Sequence, residues 1–109
     1  MSADYAVWGT EVAEKDLTAI ITFIANDNPL NAFHVLEKIK NKAAALYISP
    51  DRGRVIPELH ARGIFIYREL IIPPWRLVYR IAESNVYITA VLDGRRNVED
   101  ILLNRLIQM

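Results

Sequence analysis

The residues in this chain best equipped for chemistry are its arginines. All nine follow Asp51, whereas residues 1–51 hold only Lys15, Lys38, Lys40 and Lys42 as cations against seven acids. Between Arg52 and Arg96, eight arginines face only Glu58, Glu69, Glu83 and Asp93. The formal net charge of zero therefore conceals an acidic first part and a basic second part. A planar guanidinium grips phosphate or carboxylate at two points and stacks on flat rings, which an ammonium cannot do. Arg52, Arg54, Arg76, Arg80, Arg95 and Arg96 come from a loop, a strand face and a strand end that one sheet could bring together. Clustered, they would form an anion site; scattered and paired with local acids, they would only solvate the surface. Composition leaves both readings open.

Proton transfer has fewer candidates. His34 lies in a helical stretch and reads as structural or merely exposed, while His60, in "PELHARG" beside Arg62, is the better-placed acid or base. Tyr67, Trp75, Tyr79 and Tyr87 interleave with the arginines and could stack on bases, although aromatics in amphipathic strands are core residues more often. The chain contains no HExxH, no phosphate-cradling glycine loop and no paired-carboxylate motif. Without cysteine there is no disulfide, thiolate nucleophile or sulfur-bound metal, and two distant histidines make no metal site. Neither metal nor cofactor is expected.

These side chains must be held by one domain spanning residues 1–109, a length that buries about 65% of the surface its unfolded chain would expose. The longest apolar runs, "AIITFIA" and "IIPPW", fall far short of the roughly 18 residues needed to span a bilayer. The first residues, "MSADYAVWGT", show neither the basic start nor the apolar stretch of a secretory signal. A cytoplasmic protein without membrane contact is expected.

The hydrophobic period changes along the chain. After a short strand at "YAVWG", Thr10 caps a helix whose apolar positions are Ala13, Leu17, Ile20, Ile21 and Ile24, ending near Asn26. Asn28 caps a second helix with Pro29 at its first position and a stripe of Phe33, Leu36, Ile39, Ala43 and Leu46, so the two form an αα-hairpin. Beyond Pro50 and Gly53, the runs "IFIYRELII", "WRLVYRI" and "VYITAVL" read as an antiparallel meander. In the second run Arg76, Val78 and Arg80 project to one face, and Trp75, Leu77, Tyr79 and Ile81 project to the other, toward the helices. Arg68 has the opposite parity to Phe65, Tyr67 and Glu69, so its face depends on a register the sequence leaves open. Asn97 and Asp100 begin a last short helix with Ile101, Leu102 and Leu106 on its apolar side. The order describes an α+β domain in two layers: an N-terminal strand, a two-helix hairpin packed on an antiparallel meander, and a short C-terminal helix.

Taken together, "TEVAEKDLTAIITFIANDNP", "ISPDRGRVIPEL", "YRELIIPPWRLVYRI" and "VYITAVLDGRRN" resemble the ParE branch of the RelE/ParE toxins of type II toxin–antitoxin (plasmid stabilisation) modules, from about Tyr5 to Asn97. The resemblance implies the α+β toxin fold, and a cytoplasmic protein held inactive by a cognate antitoxin whose C-terminal segment wraps it in a hetero-oligomer. It also implies one of two activities. ParE-like members block DNA gyrase by binding; RelE-like members cleave mRNA on the ribosome, often with a tyrosine or histidine near the end of the last strand. The basic residues matching the family pattern are Arg54, Arg68, Arg76, Arg80, Arg95 and Arg96, expected as the target-binding set. Asp93 stands where many relatives carry histidine, and "LDGRRN" holds no tyrosine or histidine. A gyrase inhibitor without catalysis is therefore the leading expectation. The alternative, an mRNA endoribonuclease, would draw on Arg54, His60, Arg68, Arg76, Tyr87 and Asp93. An exposed apolar patch at the ends of the long helices, or the edge strand at "YAVWG", is the expected antitoxin dock.

Overall fold

A computed structural model describes residues 4–107. Strand β1 (Ala6–Gly9) leads into helices α1 (Glu11–Ala25) and α2 (Pro29–Ala44). Then come β2 (Arg54–Val55), α3 (Pro57–His60), β3 (Tyr67–Ile72), β4 (Trp75–Ala82), β5 (Asn85–Asp93) and α4 (Val98–Ile107). Capping follows the sequence. Thr10 accepts the Ala13 N–H at 3.3 Å, Asn28 accepts that of Asn31 at 3.0 Å, and Asn97 accepts that of Asp100 at 3.2 Å.

The five strands are ordered β1-β5-β4-β3-β2. Strands β3, β4 and β5 form the antiparallel meander, with a cis Pro73–Pro74 bond between β3 and β4. Strand β1 joins parallel to β5 and occupies one edge. The two-residue β2 and four-residue α3 escape sequence reading because neither is long enough to establish a period. The first meander strand also starts later than its apolar run, at Tyr67, leaving Phe65 and Ile66 exposed.

Helices α1 and α2 cover one sheet face, where Ala13, Ile39, Leu46, Leu77, Tyr79, Val86, Ile88 and Val91 form the larger core. The stripe on α2 is turned by one position at its start: Ala32 is buried and Phe33 is 55% exposed. The opposite face is not left open, as a two-layer reading implies. Ile56, Leu59, Tyr67, Val78, Ala90 and Leu92 form a second core there, closed by Val98 and Leu102 of α4.

One irregularity serves both cores. Pairing jumps from Val78↔Ala90 to Tyr79↔Ile88, so Thr89 is the extra residue of a β-bulge. The bulge resets the alternation of β5. Val86, Ile88 and Val91 reach the first core, while Ala90 and Leu92 reach the second.

Candidate functional site

Strand β4 carries Arg76 on the second face, cross-strand from Leu92, but its guanidinium is already engaged. Its Nε donates to Glu69 Oε1 at 2.6 Å and its Nη2 to Glu69 Oε2 at 3.0 Å. Nη1 and Nη2 each donate to Glu58 at 2.7 Å. Glu69 is 1% exposed and also accepts from Arg54 Nε at 2.9 Å. Two cations and two carboxylates thus form a closed, neutral network. The bond from Arg76 holds the Glu58 carboxyl down at about 2, against the smaller opposing push of burial, and the same bond raises Arg76 further above its ordinary range. Both charges are permanent at neutral pH.

The turn after β5 lies against this network. Gly94 donates its N–H to the Pro74 carbonyl at 2.8 Å, and a Cβ at Gly94 would sit 3.2 Å from the Arg76 Cδ. Arg95 then folds back on Asp93: Nε and Nη2 donate to its two oxygens at 2.9 and 2.6 Å, and the Arg95 N–H adds a third bond at 2.9 Å. Those bonds lower the Asp93 carboxyl to about 2. Arg96 extends into solvent without a carboxylate at ion-pair distance among the described residues.

Arg80 sits further along β4, between Tyr67 and Tyr87 on the neighbouring strands. Its guanidinium carbon lies 4.7 Å from the centre of the Tyr87 ring, a cation–π contact. This group borders a pocket of about 430 Å³ lined by Tyr67, Val78, Tyr87, Leu102 and Arg105 among others. Arg68 resolves the open register: it pairs with Tyr79, on the hairpin face, and donates to the Gly53 carbonyl at 2.8 Å. It does not share the face of Arg76 and Arg80.

The structure therefore brings Arg54, Arg76, Arg95 and Arg96 to one end of the sheet, places Arg80 further along the same face, and sets Arg68 apart. The proton-transfer candidates do not converge. His60 ends α3 with its ring edge-on to Phe65 at 4.8 Å, Tyr87 lies beneath Arg80, and Asp93 is bound by Arg95. Among the described residues, no group of three His, Cys, Asp or Glu side chains is gathered as a metal site would need. Sequence reasoning missed Glu58 and Glu69 as partners of Arg76. Glu69 shares its strand parity with Tyr67, a weak signal that it faces inward. The pairing of Asp16 with Arg105, bidentate at 2.8 and 2.9 Å, joins residues too distant in sequence for spacing to reveal.

The family model described as "ParE toxin of type II toxin-antitoxin system, parDE" matches residues 9–98. Over 91 residues the chain is 33% identical to Toxin RelE2 of Caulobacter vibrioides, covering 83% of this chain and 94% of that protein. Its fold is similar to a chain of the chromosomal ParDE TA system from P. aeruginosa, with a TM-score of 0.65 and 18% identity over 80% of this chain and 92% of that one. A chain of the RelBE2 toxin–antitoxin complex from Mycobacterium tuberculosis gives 0.56 and 23% identity over 84% and 92%. The α+β fold is thus that of a RelE/ParE superfamily toxin. The chain belongs to the ParE toxin family of type II toxin–antitoxin systems.

Proposed function

We propose that this toxin acts by binding DNA gyrase, without catalysis of its own, and that a cognate antitoxin neutralises it in a cytoplasmic plasmid-stabilisation module. The observation that carries this reading is the closure of Arg76 by Glu58 and Glu69. A nuclease needs cations free to meet a pentavalent phosphate and a group able to move a proton. Here the strand arginine is neutralised, Asp93 is an ionised partner of Arg95, and His60 lies elsewhere on α3. What remains available to a target is Arg96, the exposed side of Arg54 and Arg95, and the Arg80–Tyr87 pair, which suit carboxylates on a protein surface. Arg68 contributes by holding the Gly53 loop in place.

The antitoxin has two places to dock. Strand β1 is a sheet edge bearing the exposed Trp8, and the exposed Val12 lines the pocket beside α4. An extended segment adding to β1 could turn an apolar side chain into that pocket.

A second reading, a ribosome-dependent mRNA endoribonuclease, is favoured by the likeness to Toxin RelE2 and by Tyr87 and Arg80 facing one pocket. One experiment separates the two. Purified toxin is added to a gyrase supercoiling assay and, in parallel, to translating ribosomes with a defined mRNA. Loss of supercoiling with intact mRNA is the expected result, and cleaved mRNA with normal supercoiling overturns it.

A further inference from the structure

The arginines of the second half mostly have partners: Arg54, Arg62, Arg76, Arg95 and Arg105 each bind a carboxylate. Among the described residues, Arg68, Arg80 and Arg96 have none, and three further cations without one gather in a different place. Helix α2 presents His34, Lys38 and Lys42 at every fourth residue, and the loop after it brings Arg52 to the same shallow depression, together with Glu37 and Asn41. Lys38, Lys42 and Arg52 have no carboxylate at ion-pair distance among the described residues, and all three are exposed. Three fixed positive charges thus face one carboxylate, Glu37.

We propose that this depression binds the phosphodiester backbone of a nucleic acid. The inference does not depend on which macromolecule the toxin disables. Three features favour phosphates over an acidic protein. The helix positions advance by about 6 Å per step along one side, a regular row suited to a chain carrying one charge per repeat. Two of the three fixed cations are lysines, which meet phosphates as point charges, whereas two-point recognition of carboxylates favours arginine. The depression also offers no aromatic or methionine anchor of the kind protein interfaces centre on, and lysine is depleted in such interfaces. Asn41, between the two lysines, supplies an amide for sugar or base edges.

The test uses the full chain with a fluorescent 20-nucleotide polyuridine RNA, a 20-base-pair DNA duplex and a polyglutamate peptide, read by anisotropy. Three contacts give a log–log salt slope of about −2.1 on the single strand to about −2.7 on the duplex, an affinity loss of about 20- to 40-fold between 50 and 200 mM salt. The Lys38→Glu, Lys42→Glu, Arg52→Glu triple variant should lose binding at least tenfold at low salt with an unchanged circular dichroism spectrum. Glu37→Gln, which removes the opposing charge, should tighten binding, and that variant keeps the proposal testable should the triple variant misfold. Arg95→Glu with Arg96→Glu should change binding less than threefold. Binding of either nucleic acid supports the assignment, and the tighter of the two identifies the source of the backbone. Polyglutamate bound as tightly as RNA, a salt-independent affinity, or no tightening in Glu37→Gln would overturn it.

Discussion

Arg76 binds two carboxylates at once, and Glu69 is almost completely buried beside it. Truncation to alanine would leave Glu69 desolvated with only the half-exposed Arg54 to compensate, a loss of about 3–5 kcal/mol. Arg95→Ala breaks a solvent-screened surface pair and should leave stability nearly unchanged. Urea unfolding compares them, and equal midpoints would refute a structural role for Arg76. Acid sensitivity follows from the same network. The Glu58 carboxyl titrates at about 2 in the folded chain instead of its ordinary 4.5, so its stabilising contribution is complete above 4.5 and is lost as pH falls toward 2. Melting temperatures between pH 5 and 2 should therefore fall less steeply in Glu58→Gln than in the parent chain. Tyr79 offers a neutral counterpart: its buried hydroxyl donates to the Pro50 carbonyl at 2.7 Å and accepts the Gly53 N–H at 2.9 Å. Tyr79→Phe strands both groups and should cost about 1–3 kcal/mol in the same measurement. Gly53 cannot carry even a methyl group, because a Cβ there would meet the Tyr79 oxygen and the Glu69 carbonyl.

At the scale of elements, the seam between α1, β5 and α4 is closed by one carboxylate. Strand β1 pairs with β5 only as far as Ile88, and Thr10 caps that pairing by donating its N–H and hydroxyl to the Ile88 carbonyl. Beyond it, Asp16 of α1 accepts the Val91 N–H at 3.0 Å and binds Arg105 of α4. Removing the carboxylate frees a strand amide and a helix tether together. Asp16→Ala should lower stability by about 1–3 kcal/mol. Hydrogen exchange should accelerate at Val91 and along α4, while α2 keeps its protection. Uniform acceleration throughout the chain would show that the seam is not a separate unit. The Thr89 bulge belongs to this scale as well, since it resets the alternation of β5 so that Val91 joins the first core and Ala90 the second.

For the whole molecule, the charge map differs from the composition. The basic half of the sequence is largely neutralised where it folds, and a lysine row on the otherwise acidic half stays open to solvent. Target binding at the β5 turn makes Arg96 the informative residue, because Arg95 is already held by Asp93. Arg96→Glu should relieve growth inhibition in cells by at least tenfold without lowering the melting temperature. Undiminished toxicity in that variant would remove the turn from the target-binding surface.

Periodicity and capping chemistry determined much of this protein from sequence alone. Thr10, Asn28 and Asn97 set the starts of three helices, and the apolar runs set the meander. The alternation in "WRLVYRI" placed Arg76 opposite Tyr79 because side-chain direction along a strand is a local property. Nothing local announced that β1 would pair parallel with β5, that Thr89 would bulge, or that Ala32 would replace Phe33 in the core. Those depend on which surfaces meet. The same distinction governs the arginines. Their identity and parity were legible, and the likeness to the ParE toxins was legible in four short stretches. Whether each guanidinium faces a target or a neighbouring carboxylate was decided by tertiary structure, because Glu58 and Glu69 reach Arg76 only once α3, β3 and β4 have packed.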